Sequence, residues 1–177
     1  MRAGRGRRWL WSGIAAVALG GCGIILPQPP VICPNVGVVA EAVNLTQFTA
    51  EGGRDVTDVR YVAEFSDIEW SCDLDGSTLE VELTLVVEAA AGPTSNAPTA
   101  DFRYFVALAA RDGGLIAKET FASRIALSSD NGTGSLVEEI EQLIPLRPDQ
   151  SGDDFEILIG FQLTREQLDY NRARGVQ

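Results

Sequence analysis

The chain has 177 residues, with 14 lysines and arginines against 25 aspartates and glutamates, three cysteines and no histidine, for a formal net charge of −11. The lack of histidine excludes Ser-His-Asp and Cys-His nucleophiles, histidine-ligated metals and the commonest proton carrier near neutral pH. An acidic surface repels phosphate backbones, which excludes nucleic acid as a partner.

The N-terminus carries Arg2, Arg5, Arg7 and Arg8 without an acidic residue, then an apolar run from Trp9 to Leu19 and a few small residues. That is the layout of a secretory signal. As a helix the run covers about 16 Å, too short for the roughly 30 Å of bilayer hydrocarbon. "RRWLW" also carries the arginine pair of a twin-arginine signal, but the rest of that pattern is missing, and the general route is preferred. "LGGC", Leu19 to Cys22, resembles the bacterial lipobox, which implies a lipoprotein signal peptide over residues 1–21 and lipid on the Cys22 sulfur. Buried acyl chains hold a protein to a membrane at about 0.8 kcal/mol per methylene. Gly23 and Ile24 lack the aspartate of an inner-membrane retention signal. The expected location is therefore the outer membrane, lipid-anchored and facing the periplasm. Without residues 1–21, ten basic and 25 acidic residues remain, a charge of −15. This disfavours adsorption to anionic lipid and leaves a basic protein as the fitting charged partner.

With Cys22 taken by lipid, Cys33 and Cys72 form an even pair in an oxidising compartment, and a disulfide is expected between them. Two cysteines and no histidine do not make the four-ligand site that zinc prefers, so no metal is expected. Residues 22–34, "CGIILPQPPVICP", contain four prolines and read as a semi-extended tether ahead of one domain over residues 35–177.

Period-two runs follow the tether. A first strand is expected near 36–44. Over 59–72, Val59, Tyr61, Ala63 and Phe65 share one phase and Ile68, Trp70 and Cys72 the other, so a bulge near Ser66 and Asp67 keeps both sets inward. "DLDGS" at 73–77 reads as a turn; its calcium-loop flavour fails at the twelfth position, where Thr84 stands in place of glutamate. Over 78–89, Leu79, Val81, Leu83, Leu85 and Val87 alternate with Glu80, Glu82, Thr84 and Glu88, a strand with one buried face. Phe102, Tyr104, Val106 and Leu108 mark the next strand at 101–110, "RDGG" at 111–114 a hairpin turn, and 115–127 the return. Residues 135–146 fit helical spacing with a Ser135–Glu138 capping pattern, and also fit a strand through Leu136, Ile140, Ile144 and Leu146. The strand is preferred because strands joined by turns surround it. Residues 155–163 form a final strand, and Thr164 with Gln167 caps a short helix. The sum is an all-β fold: an immunoglobulin/fibronectin-like antiparallel β-sandwich of six or seven strands with a short C-terminal helix.

Carboxylate-pair chemistry needs no histidine. Yet Glu80, Glu82 and Glu88 read as the solvated side of a strand, and Asp153 and Asp154 as turn residues, so no catalytic residue, no cofactor and no enzymatic activity are expected. The aromatic residues run in phase with the apolar ones and belong to the core, except Phe105, which is out of phase and stands as the possible exposed contact.

"CP" at 33–34, "GRDVTDV" at 53–59, "RYFVALAA" at 103–110, "IAKETF" at 116–121, "IPL" at 144–146 and "EILIGFQLTREQLDYNR" at 156–172 together resemble a group of uncharacterised cell-envelope lipoproteins of Gram-negative, alphaproteobacterial bacteria. The resemblance implies an envelope lipoprotein and carries over no catalytic residue. The function expected is that of a lipid-anchored structural or protein-interaction module with an envelope protein as partner. The alternative is a binding module for cell-wall glycan or a small apolar ligand.

Overall fold

The computed structural model describes residues 30–50 and 53–175. The expected signal peptide, Cys22 and most of the expected tether lie outside the described residues. Two four-stranded sheets face each other in the sandwich architecture of immunoglobulin- and fibronectin-type domains, with one short helix after the last strand. The strands are β1 (Asn35–Val38), β2 (Asn44–Phe48), β3 (Val59–Asp75), β4 (Thr78–Ala91), β5 (Thr99–Ala110), β6 (Leu115–Ala126), β7 (Thr133–Pro145) and β8 (Phe155–Phe161); the helix α1 is Arg165–Ala173. One sheet has the order β1-β8-β5-β6 and the other β2-β3-β4-β7.

β4 shows why these residues form strands. Leu79, Val81, Leu83, Leu85 and Val87 are at most 1% exposed, whereas Glu82 and Glu88 on the opposite phase are exposed. Facing them across the sandwich are Phe102, Tyr104, Val106 and Leu108 of β5 and Ile157, Ile159 and Phe161 of β8. Aromatic rings fill the middle: Phe65 and Phe161 are 4.6 Å apart, and Phe102 meets Phe161 edge-on at 5.5 Å. The β3–β4 hairpin turns at Gly76, whose φ of 60° suits glycine, and its register shifts between Phe65 and Asp67, the expected bulge. Residues 133–145 form a strand paired antiparallel to β4.

Two expectations are corrected. The segment 36–44 is two strands, which raises the count to eight. At Val39 the chain enters a single 3-10 turn over Ala40–Ala42, so β1 pairs in parallel with β8 while β2 pairs with β3 in the other sheet. Trp70 has the inward phase, opposite Leu83, but is 47% exposed. β2 ends level with the first half of β3, and among the described residues no strand flanks Trp70 on that side.

Helix α1 covers the edge of β2. Thr164 and Gln167 form a reciprocal capping box at its start. From its side, Asn171 Nδ2 donates to the carbonyl oxygens of Glu41 and Asn44 at 2.9 and 2.8 Å, and Gln167 Nε2 donates to that of Thr46 at 3.4 Å. The two amides are four residues apart on a helix, about 6 Å, and the two β2 carbonyls two residues apart on a strand, about 6.6 Å. The spacings match, so two side chains satisfy an edge that would otherwise be open. Tyr170 adds an edge-on contact with Phe48 at 4.9 Å. Asn171 is 2% exposed. Replacing it by alanine strands two carbonyls in a buried place, and a loss of about 1–3 kcal/mol is expected. A urea titration in which Asn171→Ala keeps the wild-type midpoint would show that the helix is not fixed by this contact.

Cys33 and Cys72 are joined, with Cα atoms 5.7 Å apart and 39 positions between them in sequence. The bond ties the residues just before β1 to the second half of β3, and thus one sheet to the other. A loop of this length is worth roughly 4 kcal/mol in the chain-entropy account. Reduction of a chain beginning at Cys33 is expected to lower its Tm by about 5–15 °C. Titration of the unfolded, unreduced protein should find neither thiol; two reactive thiols would refute the bond.

Candidate functional site

Register places the polar residues of three strands in rows on the outer face of the β2-β3-β4-β7 sheet. From the hairpin turn upward, Asp73 lies opposite Glu80, which lies opposite Leu143; Ser71, Glu82 and Glu141 form the next row, then Glu69, Thr84 and Glu139, and then Asp67, Val86 and Val137. Glu64, Glu88 and Ser135 follow above the bulge. With Asp75 beside Thr78, ten carboxylates share this face: Glu64, Asp67, Glu69, Asp73, Asp75, Glu80, Glu82, Glu88, Glu139 and Glu141. Three pairs of like charge stand directly opposite one another: Asp73 with Glu80, Glu82 with Glu141, and Glu64 with Glu88. β4 and β7 contain no lysine or arginine, and β3 has none after Arg60. Among the described residues every ion pair lies elsewhere, at Arg54–Glu166, Arg111–Asp153, Arg124–Asp101, Arg147–Asp149 and Arg172–Glu41.

Directly opposed like charges destabilise a sheet by about 0.2–1 kcal/mol a pair. An arrangement with three such pairs and, among the described residues, no ion pair to offset them raises the energy of the folded chain, and an approaching cation relieves it. The negative potential of the carboxylates attracts a positively charged group toward this face over a distance set by the Debye length, about 8 Å at physiological salt.

Above the face, α1 overhangs the sheet and encloses a groove of about 610 Å³. Its floor has Thr46, Val62, Glu64, Glu88, Ala90 and Ser135, and its wall Tyr170, Asn171 and Arg174. The Arg174 guanidinium donates to the Tyr170 hydroxyl at 2.6 Å and forms no ion pair with Glu64 or Glu88. The volume is that of a small-molecule site, and the lining is mixed, with Thr46, Glu64, Glu88 and Ser135 beside apolar Val62 and Ala90.

Other polar groups are accounted for inside the fold. Ser123 donates to Glu138, the β7 carboxylate turned toward the sandwich, and Tyr104 faces the same group. Burial first, and then this carboxylate, push the Tyr104 phenol above its ordinary range. Burial likewise raises the Tyr61 phenol, which donates to the Asp101 carbonyl. The exposed Asp153 is held below the usual carboxylate range by the Ser151 hydroxyl, with help from Arg111, and braces the turn before β8. Among the described residues no three histidine, cysteine or acidic side chains converge to hold a metal ion.

Phe105 is half-buried on the outer face of the other sheet. Lys118 Nζ lies 4.1 Å from its ring centroid, and its ring lies over Gly160, where a Cβ would meet it. Strand by strand the glutamates read as a solvated side, and the acidic face exists only once the three strands pair. Its signal was there: residues 61–91 and 125–146 contain no basic residue.

No family model matches the chain, and no curated protein does. Among solved structures it is similar to the variable (V) domain of the AgI/II polypeptide BspA of Streptococcus agalactiae, at 12% identity over 90% of this chain and 93% of that one, with a TM-score of 0.18. A similarity so low carries no functional argument.

Glu88→Gln removes one member of an opposed pair and is expected to raise Tm by about a degree or two at low salt, a gain that shrinks as salt is added. A fall in Tm would show that Glu88 serves the fold.

Proposed function

We propose that the protein is a non-enzymatic interaction module of the bacterial cell envelope, lipid-anchored through Cys22 at the outer membrane and facing the periplasm, which docks a basic protein partner. The observation that supports the docking is the outer face of the β2-β3-β4-β7 sheet, where ten carboxylates form no ion pair among the described residues. The opposed pairs among them cost the fold stability, since among the described residues no ion pair offsets their repulsion. The anchor is supported by "LGGC" and the arginine-led apolar run before it.

A second reading, a ligand module for cell-wall glycan, is favoured by the groove under α1, where hydroxyls, carboxylates and the Tyr170 ring line one trough. Glycan recognition uses such polar groups beside an aromatic face.

Metabolic labelling with a fatty acid is expected to mark the wild-type chain and not Cys22→Ala; equal label in both would refute lipid at this sulfur. Crosslinking in intact cells is expected to give an adduct that Glu69→Lys with Glu82→Lys abolishes. Recovery of the monomer alone would remove the docking reading, and pelleting of the chain with purified cell wall would put the glycan reading in its place.

A further inference from the structure

β3 is 17 residues long, but β2, its neighbour on one side, has only five and pairs with residues 59–64. Beyond the bulge, residues 67–75 pair with β4 alone. Among the described residues no backbone hydrogen bond from another segment reaches them on the open side. The Ile68 N–H is turned to that side and bonds its neighbour's Asp67 carboxylate at 3.0 Å. Because ladder groups alternate along a strand, those of Trp70, Cys72 and Leu74 point the same way. A row of free donors and acceptors is a template for one more strand.

The side chains along this edge specify the strand it would take. On the inner phase Trp70 and Leu74 are 47% and 48% exposed, large apolar groups left without cover. On the outer phase stand Glu69 and Asp73. An incoming strand therefore meets apolar groups on one face and carboxylates on the other. A second copy of this edge would set Glu69 and Asp73 against their own kind, a repulsive cross-strand pairing. A strand that alternates basic with apolar residues satisfies both faces. We infer that residues 67–75 of β3 accept a segment of this kind from a partner protein by strand addition, which extends the sheet in line with β2. This rests on the interaction-module reading and names how the partner is held.

The test is amide hydrogen exchange on the full chain with the Cys33–Cys72 bond intact, with two synthetic peptides of about nine residues each, one alternating lysine and valine, the other glutamate and valine. With the lysine peptide at about ten times its Kd, exchange at Trp70, Cys72 and Leu74 is expected to slow by about tenfold. The β4-facing amides of Ser71 and Asp73 should stay as they were, and the glutamate peptide should protect none. The double variant Glu69→Lys with Asp73→Lys, both exposed and outside the core, should exchange the two preferences, whereas Glu88→Lys with Glu141→Lys, on the same face but away from the edge, should leave edge protection in place. Lysine-peptide binding without protection of these three amides would place the contact on the face and overturn strand addition, while the module reading stands. Edge protection in a chain that yields only monomer on crosslinking in cells would do the reverse. Equal protection by both peptides would overturn the specificity argued from Glu69 and Asp73.

Discussion

The register that holds β4 between β3 and β7 is the constraint on which the rest depends. Side chains alternate with period two, so a slip of one residue would turn Leu79, Val81, Leu83, Leu85 and Val87 to water and bury the glutamates. At about 25 cal/mol per Å² of apolar surface, five such side chains oppose that slip by several kcal/mol. The same register stacks the carboxylates of three strands in rows. Core and acidic face are two sides of one pairing, and neither could be moved without the other. The repulsion between opposed pairs, a few tenths to about 1 kcal/mol each, is small beside the burial that fixes them.

The edges of the two sheets are treated differently. β2 is short and covered by α1 through Gln167 and Asn171. β1 has only four residues. β6 and β7 lie over each other on the far side, where Gly134 lets β7 approach the Ala126 carbonyl and Ser123 reaches Glu138. On the side away from β4, the second half of β3 has neither helix nor partner strand among the described residues. Its protection is charge and a bulge, devices that discourage pairing with an identical edge while they leave the backbone accessible. The disulfide at Cys72 ties this stretch to the residues just before β1.

Most strands were legible because one face of each is buried and the other is not. In β4 and β5 the alternation runs unbroken, and even the bulge in β3 showed as a change of phase after Phe65. Over 135–146 helical and strand patterns coexisted; pairing with β4 along thirteen residues decides it, a tertiary contact that local spacing does not record. The break at Ala40–Ala42 left no glycine or proline to mark it, so 36–44 read as continuous. The exposure of Trp70 depends on where another strand stops, and phase alone is silent on that. The carboxylate face needed the pairing of three separate strands before its rows existed. The proposed lipidation and export, by contrast, rest on a linear motif, "LGGC" after an arginine-led apolar run, and on nothing in the fold.

Charge determines which contacts the open surfaces can make. Two copies of the domain meeting face to face would bring ten carboxylates against ten, and edge to edge would bring Glu69 and Asp73 against themselves. On the proposed membrane anchor, which would raise the local concentration of identical chains, that repulsion would keep neighbours apart where apolar groups such as Trp70 and Leu74 would otherwise draw them together. The same field attracts a basic segment, and it gains most at the three opposed pairs, where one cation relieves two carboxylates at once. Specificity on such a surface comes from what it repels as much as from what it binds.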